Sequence, residues 1–364
     1  MSLWYDFSIT MNDYSALLKK YINVLVHEGG SDLHFSTGGH PTIRVSGSLS
    51  PMLKEPVLTA EDTRGFLKAL ISPAQEKGFL ERQEVDFAYE SPDKYRFRGN
   101  AFFQRGAVGI ALRLVPKNIL GVKELNLPEV LTSFARKEQG FFLVVGPVGQ
   151  GKTTTLASLV ELINTERMEH IITIEDPIEY IFEPKQSLID QREVGIDTKD
   201  FASALLSAFR EDVDVILVGE MRGPETMAAA VTAAETGHLV FSTLHTNNAA
   251  QTIDRIIDTF PGGQQDQIRL QLAASLAGIF SQRLVPRISG GRIPCYELLI
   301  NNKAVANLIR EKRTHEINTV IETGSTEGMI DMNRSLAELV TRGEITPESA
   351  YQHSLNPNVL QKLL

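Results

Sequence analysis

The sequence contains little cysteine and no long hydrophobic run, and both absences restrict the class of protein. Cys295 is the one cysteine in 364 residues, and a single thiol forms neither an internal disulfide nor a multi-cysteine zinc site. The most hydrophobic stretch, Phe141–Val145, has the length of one strand, whereas a membrane-spanning helix needs roughly 18 apolar residues. The N-terminal segment also lacks the pattern of a secretory signal. We therefore predict a soluble protein of the cytoplasm.

Positive charge is scarce as well. Lys and Arg number 36 against 45 Asp and Glu, which gives a net charge of −9. Proteins bind nucleic acid nonspecifically through clustered Lys and Arg that contact phosphates, so this balance argues against nucleic acid as a partner. The 42% hydrophobic and 22% charged residues are typical of a folded globular protein, and the length predicts two or three domains.

The pattern of predicted helices and strands divides the chain into four parts. Residues 1–115 mix helices and strands, which predicts a small α+β domain. The segment 116–128 is bounded by prolines and contains a glycine, so we predict a hinge there. Residues 129–300 alternate apolar strands with helices, which is the pattern of a parallel sheet covered by helices on both faces. From 301 to 364 only helices are predicted.

Periodicity and turn residues place the individual elements. In the first part they are helices Tyr14–His27 and Ala60–Leu70, strands Thr42–Val45 and Val85–Tyr89, and a hairpin of Tyr95–Phe103 with Gly109–Val115. In the third part they are strands Phe141–Val145, Ile171–Ile174, Val213–Val218 and His238–Leu244, and helices Thr153–Asn164, Lys199–Arg210, Pro224–Thr236 and Ala249–Phe260.

A glycine-rich segment follows the strand Phe141–Val145 and begins the next helix. It fits the pattern GxxxxGK[ST], in which backbone N–H groups of the loop and of the helix N-terminus bind phosphate. Lys152 is predicted to reach the β- and γ-phosphates of ATP, and the Thr153 hydroxyl is predicted to hold Mg²⁺. The predicted nucleotide-binding residues here are Gly146, Pro147, Val148, Gly149, Gln150, Gly151, Lys152, Thr153 and Thr154.

Acidic residues follow two further strands. Glu220 ends the apolar run Val213–Glu220, and in a parallel sheet that end lies at the same edge as the phosphate loop. There a carboxylate activates a water or contacts Mg²⁺, and the alternative is a solvated acid at a strand end. Glu175 and Asp176 follow the strand Ile171–Ile174. They are predicted to orient water or Mg²⁺, although a turn that begins at Asp-Pro explains this pair equally well.

Two histidines bracket one predicted strand, His238 at its start and His245 just after its end. They cannot both lie at the phosphate edge, because the length of the strand separates them. His245, at the carboxyl end, is predicted to sense the γ-phosphate. His238 is better explained by a structural contact, and we keep it as a candidate for nucleotide binding.

Arginines alternate with aromatic residues in the first part. Arg96 and Arg98 project from the same face of their strand, and Arg105 and Arg113 follow on its hairpin partner. Arginine suits bidentate contacts with phosphate, so these side chains would meet a nucleotide if their domain docks over it, from the same chain or from a neighbour in a ring. Such arginine fingers contribute about 10³–10⁵ in rate. Surface ion pairs with the numerous Asp and Glu are the alternative.

In this order the motifs resemble the secretion ATPase superfamily of type II/IV secretion and type IV pilus motors. Its four boxes are present as the phosphate loop, ITIEDPIE at Ile172–Glu179, ILVGEMR at Ile216–Arg222 and TGH…TLHT at Thr236–Thr246. The resemblance extends from about Tyr14 to the end of the chain.

Within the superfamily the chain is most similar to the pilus retraction ATPases. Assembly motors usually carry a longer N-terminal extension and a four-cysteine zinc insertion, and this chain has one cysteine. Retraction motors carry a C-terminal helix AIRNLIRE, which here reads AVANLIRE at Ala304–Glu311, with Val305 and Ala306 where Ile and Arg are expected. This departure leaves an accessory paralogue of the retraction motor open.

The resemblance implies a homohexamer with a RecA-like P-loop ATPase core, a smaller N-terminal PAS-like α+β domain and C-terminal helices. It implies ATP and Mg²⁺ as cofactors at subunit boundaries. Arg96, Arg98 and Arg113 would help bind the nucleotide, while Glu220 would be the catalytic base and Glu175 a second residue that polarises water. The implied partners are an inner-membrane platform protein of the pilus and a paralogous pilus ATPase, so the protein would lie at the cytoplasmic side of the inner membrane.

The predicted function is ATP-driven retraction of type IV pili. ATP binding would pull the arginine face onto the phosphates, hydrolysis would release it, and the hinge would absorb the swing. The alternatives are an accessory retraction paralogue, a type II secretion or pilus assembly ATPase, a nucleic-acid translocase, and a ring subunit that binds nucleotide without hydrolysing it. The acidic charge argues against the translocase, and the complete set of boxes argues against the inactive subunit.

Overall fold

The computed structural model describes residues 13–45, 47–116 and 118–364. It divides into two compact units, of which the first ends at residue 117 and the second is Asn118–Leu364. This division falls inside the segment 116–128 that the sequence predicts as a hinge. Val122 and Leu127 of that segment are buried in the apolar core of the second unit. Most of the predicted hinge is therefore part of the second unit, because its apolar side chains are packed there.

The first unit is an antiparallel sheet packed against helices. Its sheet has the strand order β3-β2-β1-β6-β5-β4. The strands are β1 (Asp32–Ser36), β2 (Thr42–Val45), β3 (Ser48–Pro51), β4 (Glu84–Glu90), β5 (Arg96–Gln104) and β6 (Ala107–Leu114), and the helices are α1 (Tyr14–His27), α2 (Ala60–Leu70) and α3 (Pro73–Arg82). The predicted α1, α2, β2, β4 and hairpin β5–β6 are confirmed, whereas β1, β3 and α3 were not predicted.

The two faces of this sheet differ in polarity because side chains alternate along each strand. Leu33, Phe35 and Phe97 belong to one apolar core with Leu18 of α1 and Phe66 of α2. The opposite face carries the arginines of β5 and β6. The turn of the hairpin is formed by two residues with positive φ, as short hairpin turns require: Arg105 (φ 50°) and Gly106 (φ 78°).

The second unit is built on a seven-stranded sheet with the order β13-β12-β7-β11-β10-β8-β9. Its strands are β7 (Gly140–Val145), β8 (His170–Glu175), β9 (Leu188–Glu193), β10 (Val215–Val218), β11 (Leu239–Leu244), β12 (Leu276–Pro286) and β13 (Arg292–Ile300). Its helices are α4 (Leu131–Ala135), α5 (Lys152–Glu166), α6 (Phe201–Ala208), α7 (Pro224–Glu235), α8 (Ala249–Asp258), α9 (Gly262–Ser275), α10 (Lys303–Arg310), α11 (Ile317–Thr323), α12 (Met332–Thr341), α13 (Pro347–His353) and α14 (Pro357–Leu363).

Strands β12, β7, β11, β10, β8 and β9 are parallel to their neighbours, and β13 pairs antiparallel with β12. Every residue of β7 is buried, because helices cover both faces of the sheet. Phe141 and Leu143 belong to the apolar core on one side and Phe142 and Val144 to the core on the other. The predicted parallel sheet with two covered faces is confirmed. Strands β9, β12 and β13 and helices α4 and α9 were not predicted.

The C-terminal part is helical, as predicted from residue 301 onward. Helices α12 to α14 pack on the β12–β13 hairpin, and Cys295 is a buried member of that core, together with Val285 and Leu336. Its role there is that of a small apolar side chain. In the described part of the chain, no helix combines the length and the apolar character needed to cross a membrane.

Candidate active site

Four of the predicted motifs meet at one edge of the second sheet. The register pairs Val145 of β7 with Leu244 of β11, and Val218 of β10 with Ser242 of β11 and Ile174 of β8. The carboxyl ends of these four parallel strands therefore lie side by side. The segments that follow these strands are the phosphate loop, two segments with acidic residues and one with His245. The candidate catalytic and binding residues therefore lie at the edge where parallel sheets bind their ligands.

The phosphate loop takes a conformation that depends on its glycines. Gly146, Gly149 and Gly151 have φ values of 145°, 75° and 80°, in the region that favours glycine. Helix α5 begins at Lys152, and no side chain of the described chain caps its N-terminus. Free N–H groups at a helix start, next to a loop of this kind, bind anions such as phosphate. The loop therefore fits the predicted nucleotide.

The side chain of Lys152 folds back onto this loop. Its Nζ donates hydrogen bonds to the carbonyl oxygens of Gly146 (2.8 Å) and Pro147 (2.9 Å) and lies 3.3 Å from Nδ1 of His245. Burial lowers the pKa of Lys152, and the carboxylates of Glu220 and Glu179 offset this only in part. The ammonium group is thus held at the mouth of the loop, next to the histidine that follows β11.

Glu220 lies on the other side of that histidine. One of its carboxylate oxygens is 3.5 Å from Nε2 of His245, and Arg222 forms an ion pair with the same carboxylate. Glu220 is partly exposed, with 21% of its side chain accessible. Water can therefore reach the carboxylate, which is the requirement for a group that accepts a proton from water.

Glu175 ends β8 and is buried, with 4% of the residue exposed. Its carboxylate accepts hydrogen bonds from Thr173 Oγ1 (2.7 Å), from the backbone N–H of Glu179 (3.2 Å) and from Gln191 Nε2 (3.2 Å). Burial raises the pKa of Glu175, and these hydrogen bonds act in the opposite direction. The next residue, Asp176, is exposed.

The threonines that follow Lys152 occupy the first turn of α5. Thr153 is half-buried, and the Thr154 hydroxyl lies 2.8 Å from the hydroxyl of Tyr180. No group of three or more His, Cys, Asp or Glu able to hold a metal ion is found among the described residues. Mg²⁺ usually binds proteins through one or two side chains and takes its other ligands from water and substrate phosphates, and the Thr153 hydroxyl can supply one such ligand.

His238 lies at the opposite edge of the sheet. Its carbonyl accepts a hydrogen bond from Gly140 N, at the start of β7, whereas the phosphate loop follows the end of β7. Its Nδ1 contacts the carbonyl oxygen of Ala233 (3.0 Å) and its ring meets Phe209 edge-on. The nucleotide contact predicted for His238 is therefore not formed within one chain, because the length of a strand separates it from the loop.

Arg96, Arg98 and Arg113 share one face of the sheet of the first unit, whereas Arg105, which was predicted on the partner strand, lies in the turn before β6. Arg98 pairs in register with Arg113, and Arg113 pairs with Asp32 of β1, while Arg96 lies two residues from Arg98 on the same strand. Arg113 Nε donates to the buried Asp32 carboxylate at 2.8 Å. Burial raises the pKa of Asp32, but hydrogen bonds from Ser31 and Arg113 outweigh burial and hold it below its usual value.

Tyr180 and Gln282 lie near the phosphate loop and were not predicted as site residues. Tyr180 meets Thr154, as described, and Gln282 of β12 contacts the loop from the neighbouring strand. Tyr180 follows the box at Ile172–Glu179 directly, and that position was a signal available in the sequence. Nothing in the local sequence marks Gln282, because β12 comes to the loop only through strand pairing.

The phosphate loop follows β7, the acid follows β10, and the histidine follows β11, the strand between these two. This arrangement at the carboxyl edge of a parallel sheet defines a P-loop nucleoside triphosphatase. The family model described as "Type II/IV secretion system protein" matches residues 13–352. The chain belongs to this family.

Named relatives match over most of their length. The chain is 46% identical to a twitching motility protein of Neisseria gonorrhoeae, over 87% of this chain and 84% of the relative. It is 43% identical to the type IV pilus retraction ATPase PilT of Pseudomonas aeruginosa, over 91% of this chain and 96% of the relative. It is 40% identical to the type IV pilus ATPase PilU of the same organism, over 95% of this chain and 91% of the relative.

A solved structure of the pilus retraction motor PilT with bound ADP has the same fold. It superposes with a TM-score of 0.89 at 45% identity and covers 94% of this chain and 98% of that one. The predicted family, the α/β fold class and the ATPase class are confirmed by these matches.

Proposed function

We propose that this chain is an ATP-hydrolysing motor that powers the retraction of type IV pili. One observation carries the proposal. Lys152, His245 and Glu220, from three separate boxes, lie in contact at one sheet edge, in a chain whose relatives at 43% and 46% identity are named for pilus retraction and twitching motility.

Each residue of the site has a separate role in binding or hydrolysing ATP. The backbone of Gly146–Gly151 and the start of α5 bind the phosphates, and Lys152 neutralises their charge. The Thr153 hydroxyl would hold Mg²⁺, with Asp176 and Glu175 able to orient its waters, and the bound ion would neutralise the β- and γ-phosphate oxygens. Glu220 orients the attacking water and accepts its proton. His245 holds that carboxylate next to Lys152.

The proposal extends to the assembly. Six copies form a ring, and the arginine face of the first unit (Arg96, Arg98 and Arg113) takes part in nucleotide binding. Arginine forms bidentate contacts with phosphate, and this face carries the three side chains together. The motor works on a platform protein of the pilus at the cytoplasmic side of the inner membrane, alone or with a paralogous ATPase.

The test is the variant Glu220→Gln. It is expected to bind ATP and to lose hydrolysis by about 10²-fold or more, and to leave a deletion strain with surface pili and without twitching. Glu138→Gln is the matched control, since Glu138 is exposed just before β7, at the other edge of the sheet. Full hydrolysis by Glu220→Gln would refute the assigned site.

An accessory role is the second candidate, because the helix α10 departs from the retraction motif. Val305, Leu308 and Ile309 are buried on its apolar side, as the motif requires, whereas Ala306 stands where arginine is expected. The 40% identity to the type IV pilus ATPase PilU supports this candidate.

Complementation separates the two roles. A retraction motor restores twitching to a strain that lacks its own retraction motor, and an accessory subunit restores function only when that motor is present. Ala306→Arg is the informative variant. It is expected to strengthen retraction if the missing arginine is what limits this chain.

A further inference from the structure

Strand β12 pairs with β7, the strand that the phosphate loop follows, and it contacts the loop. Gln282 of this strand is 2% exposed. Its Nε2 donates a hydrogen bond to the backbone carbonyl of Gln150 (2.7 Å), and its Oε1 accepts one from the Thr155 hydroxyl of α5 (2.6 Å). One buried amide therefore bonds both to the loop and to the helix that the loop begins.

The loop in turn is shaped to lie on β12. The side chain of Gln150 accepts a hydrogen bond from Leu284 N (2.7 Å). A Cβ atom at Gly146 would lie 2.4 Å from the carbonyl oxygen of Gln282, and one at Gly151 would lie 2.9 Å from its Nε2. Both glycines thus allow the loop to approach this one residue closely.

The same strand holds the segment that follows His245. The Ser281 hydroxyl donates to the carbonyl oxygen of Asn247 (2.8 Å), and Arg283 Nη2 donates to the Asn247 side chain (3.2 Å). Three consecutive residues of β12 therefore connect the phosphate loop and the histidine segment to a single rigid strand.

We propose that Gln282 is a positioning residue that holds the phosphate loop in its phosphate-binding shape. A loop rich in glycine loses much conformational entropy when it orders. If the folded protein already holds the loop in order, nucleotide binding does not have to overcome this entropy loss, and the affinity for nucleotide is higher. This inference rests on the proposed nucleotide site and deepens it, because it names the residue outside the motif that the loop depends on.

The test is Gln282→Glu in the full chain. The carboxylate keeps the bond from Thr155 and places a negative oxygen against the carbonyl of Gln150. ADP affinity, measured by equilibrium binding, is expected to fall about tenfold or more, and KM for ATP is expected to rise with it. Gln150→Ala removes the reciprocal bond to Leu284 at a half-buried position, outside the core, and is expected to weaken ADP binding in the same direction.

The matched control is Asn164→Asp at the far end of α5. Asn164 is also a fully buried amide, whose Nδ2 donates to the carbonyl of Glu183 (2.8 Å). The same amide-to-carboxylate change there is expected to lower the unfolding midpoint and to leave ADP affinity within about twofold. If Gln282→Glu and Asn164→Asp lose stability equally and both keep ADP affinity, Gln282 is merely structural and the inference is overturned.

Lys152→Ala distinguishes this failure from failure of the proposed site. Loss of ADP binding in Lys152→Ala supports the site whatever the outcome at Gln282. Unchanged binding in Lys152→Ala would refute the site itself.

Discussion

The Nε2 atom of His245 lies 3.5 Å from a carboxylate oxygen of Glu220. The two residues belong to separate boxes and meet because β10 and β11 are parallel neighbours in register. The other ring nitrogen of His245 faces Lys152. The histidine is therefore the connection between the phosphate loop and the acid that follows β10.

The variant His245→Ala is expected to lower kcat for ATP hydrolysis by about tenfold to a hundredfold, because Glu220 loses the group that orients it. KM should change less, since the phosphate loop is intact. Steady-state ATPase kinetics measure both constants. His315→Ala is the control, as His315 is exposed, and an equal loss of kcat in that variant would contradict the role of His245.

Two glycines of the phosphate loop are expected to respond differently to alanine. Gly146→Ala should reduce the free energy of unfolding by about 2–4 kcal/mol, because its Cβ meets the carbonyl oxygen of Gln282 at 2.4 Å. Gly149→Ala should cost about 1 kcal/mol, the strain of a positive φ alone, since no atom lies within 4 Å of its Cβ. Urea unfolding of both variants measures the difference, and equal losses would contradict the close approach to β12.

The ion pair between Arg113 and Asp32 is expected to stabilise the first unit modestly. Arg113→Ala should cost about 1 kcal/mol, because the arginine side chain is 70% exposed and solvent weakens the pair. The folded-state pKa of Asp32 is lowered, so the stabilisation is present at neutral pH and is lost as the pH falls through that pKa. A double-mutant cycle with Asp32→Asn measures the coupling.

Arg105→Ala is the control for that cycle. Arg105 is exposed in the hairpin turn and should show no coupling to Asp32. A coupling near zero for Arg113 as well would contradict the assigned pair.

Glu297 is expected to make stability depend on pH near neutrality. It is buried and accepts a hydrogen bond from Ala249 N at the start of α8 (2.7 Å). Burial raises the pKa of Glu297 to about 7; the Ala249 bond and Arg283 oppose this, while Asp331 adds to it. The folded protein then binds more protons than the unfolded chain between about pH 4.5 and 7, so the free energy of unfolding falls as the pH rises through this range.

Glu297→Gln keeps an acceptor for Ala249 and cannot titrate. It should exceed the wild type in stability above pH 7 by roughly 1–3 kcal/mol, and the difference should shrink toward pH 4.5. Urea unfolding at several pH values measures this, with Glu138→Gln as a control that should follow the wild type. A difference that stays constant with pH would exclude Glu297 as the titrating group.

The sequence alone determined the elements whose signals are local. Helix α2 was predicted with its observed bounds, and its start is marked by a capping box in which Thr59 and Asp62 bond to each other's backbone. The buried strand β7 is a continuous apolar run, and the phosphate loop is a contiguous motif. Neighbouring residues carry each of these signals, so no knowledge of distant contacts is needed to detect them.

The contacts between distant residues follow from the tertiary structure. The strand order β7-β11-β10-β8 differs from the order in the chain, and it brings Lys152, His245 and Glu220 together. It also places β12 beside β7, so that Gln282 supports the loop although its neighbourhood contains no motif. Strand pairing depends on packing between segments that are far apart in sequence, and for that reason the partners of the loop could not be inferred from residues near it.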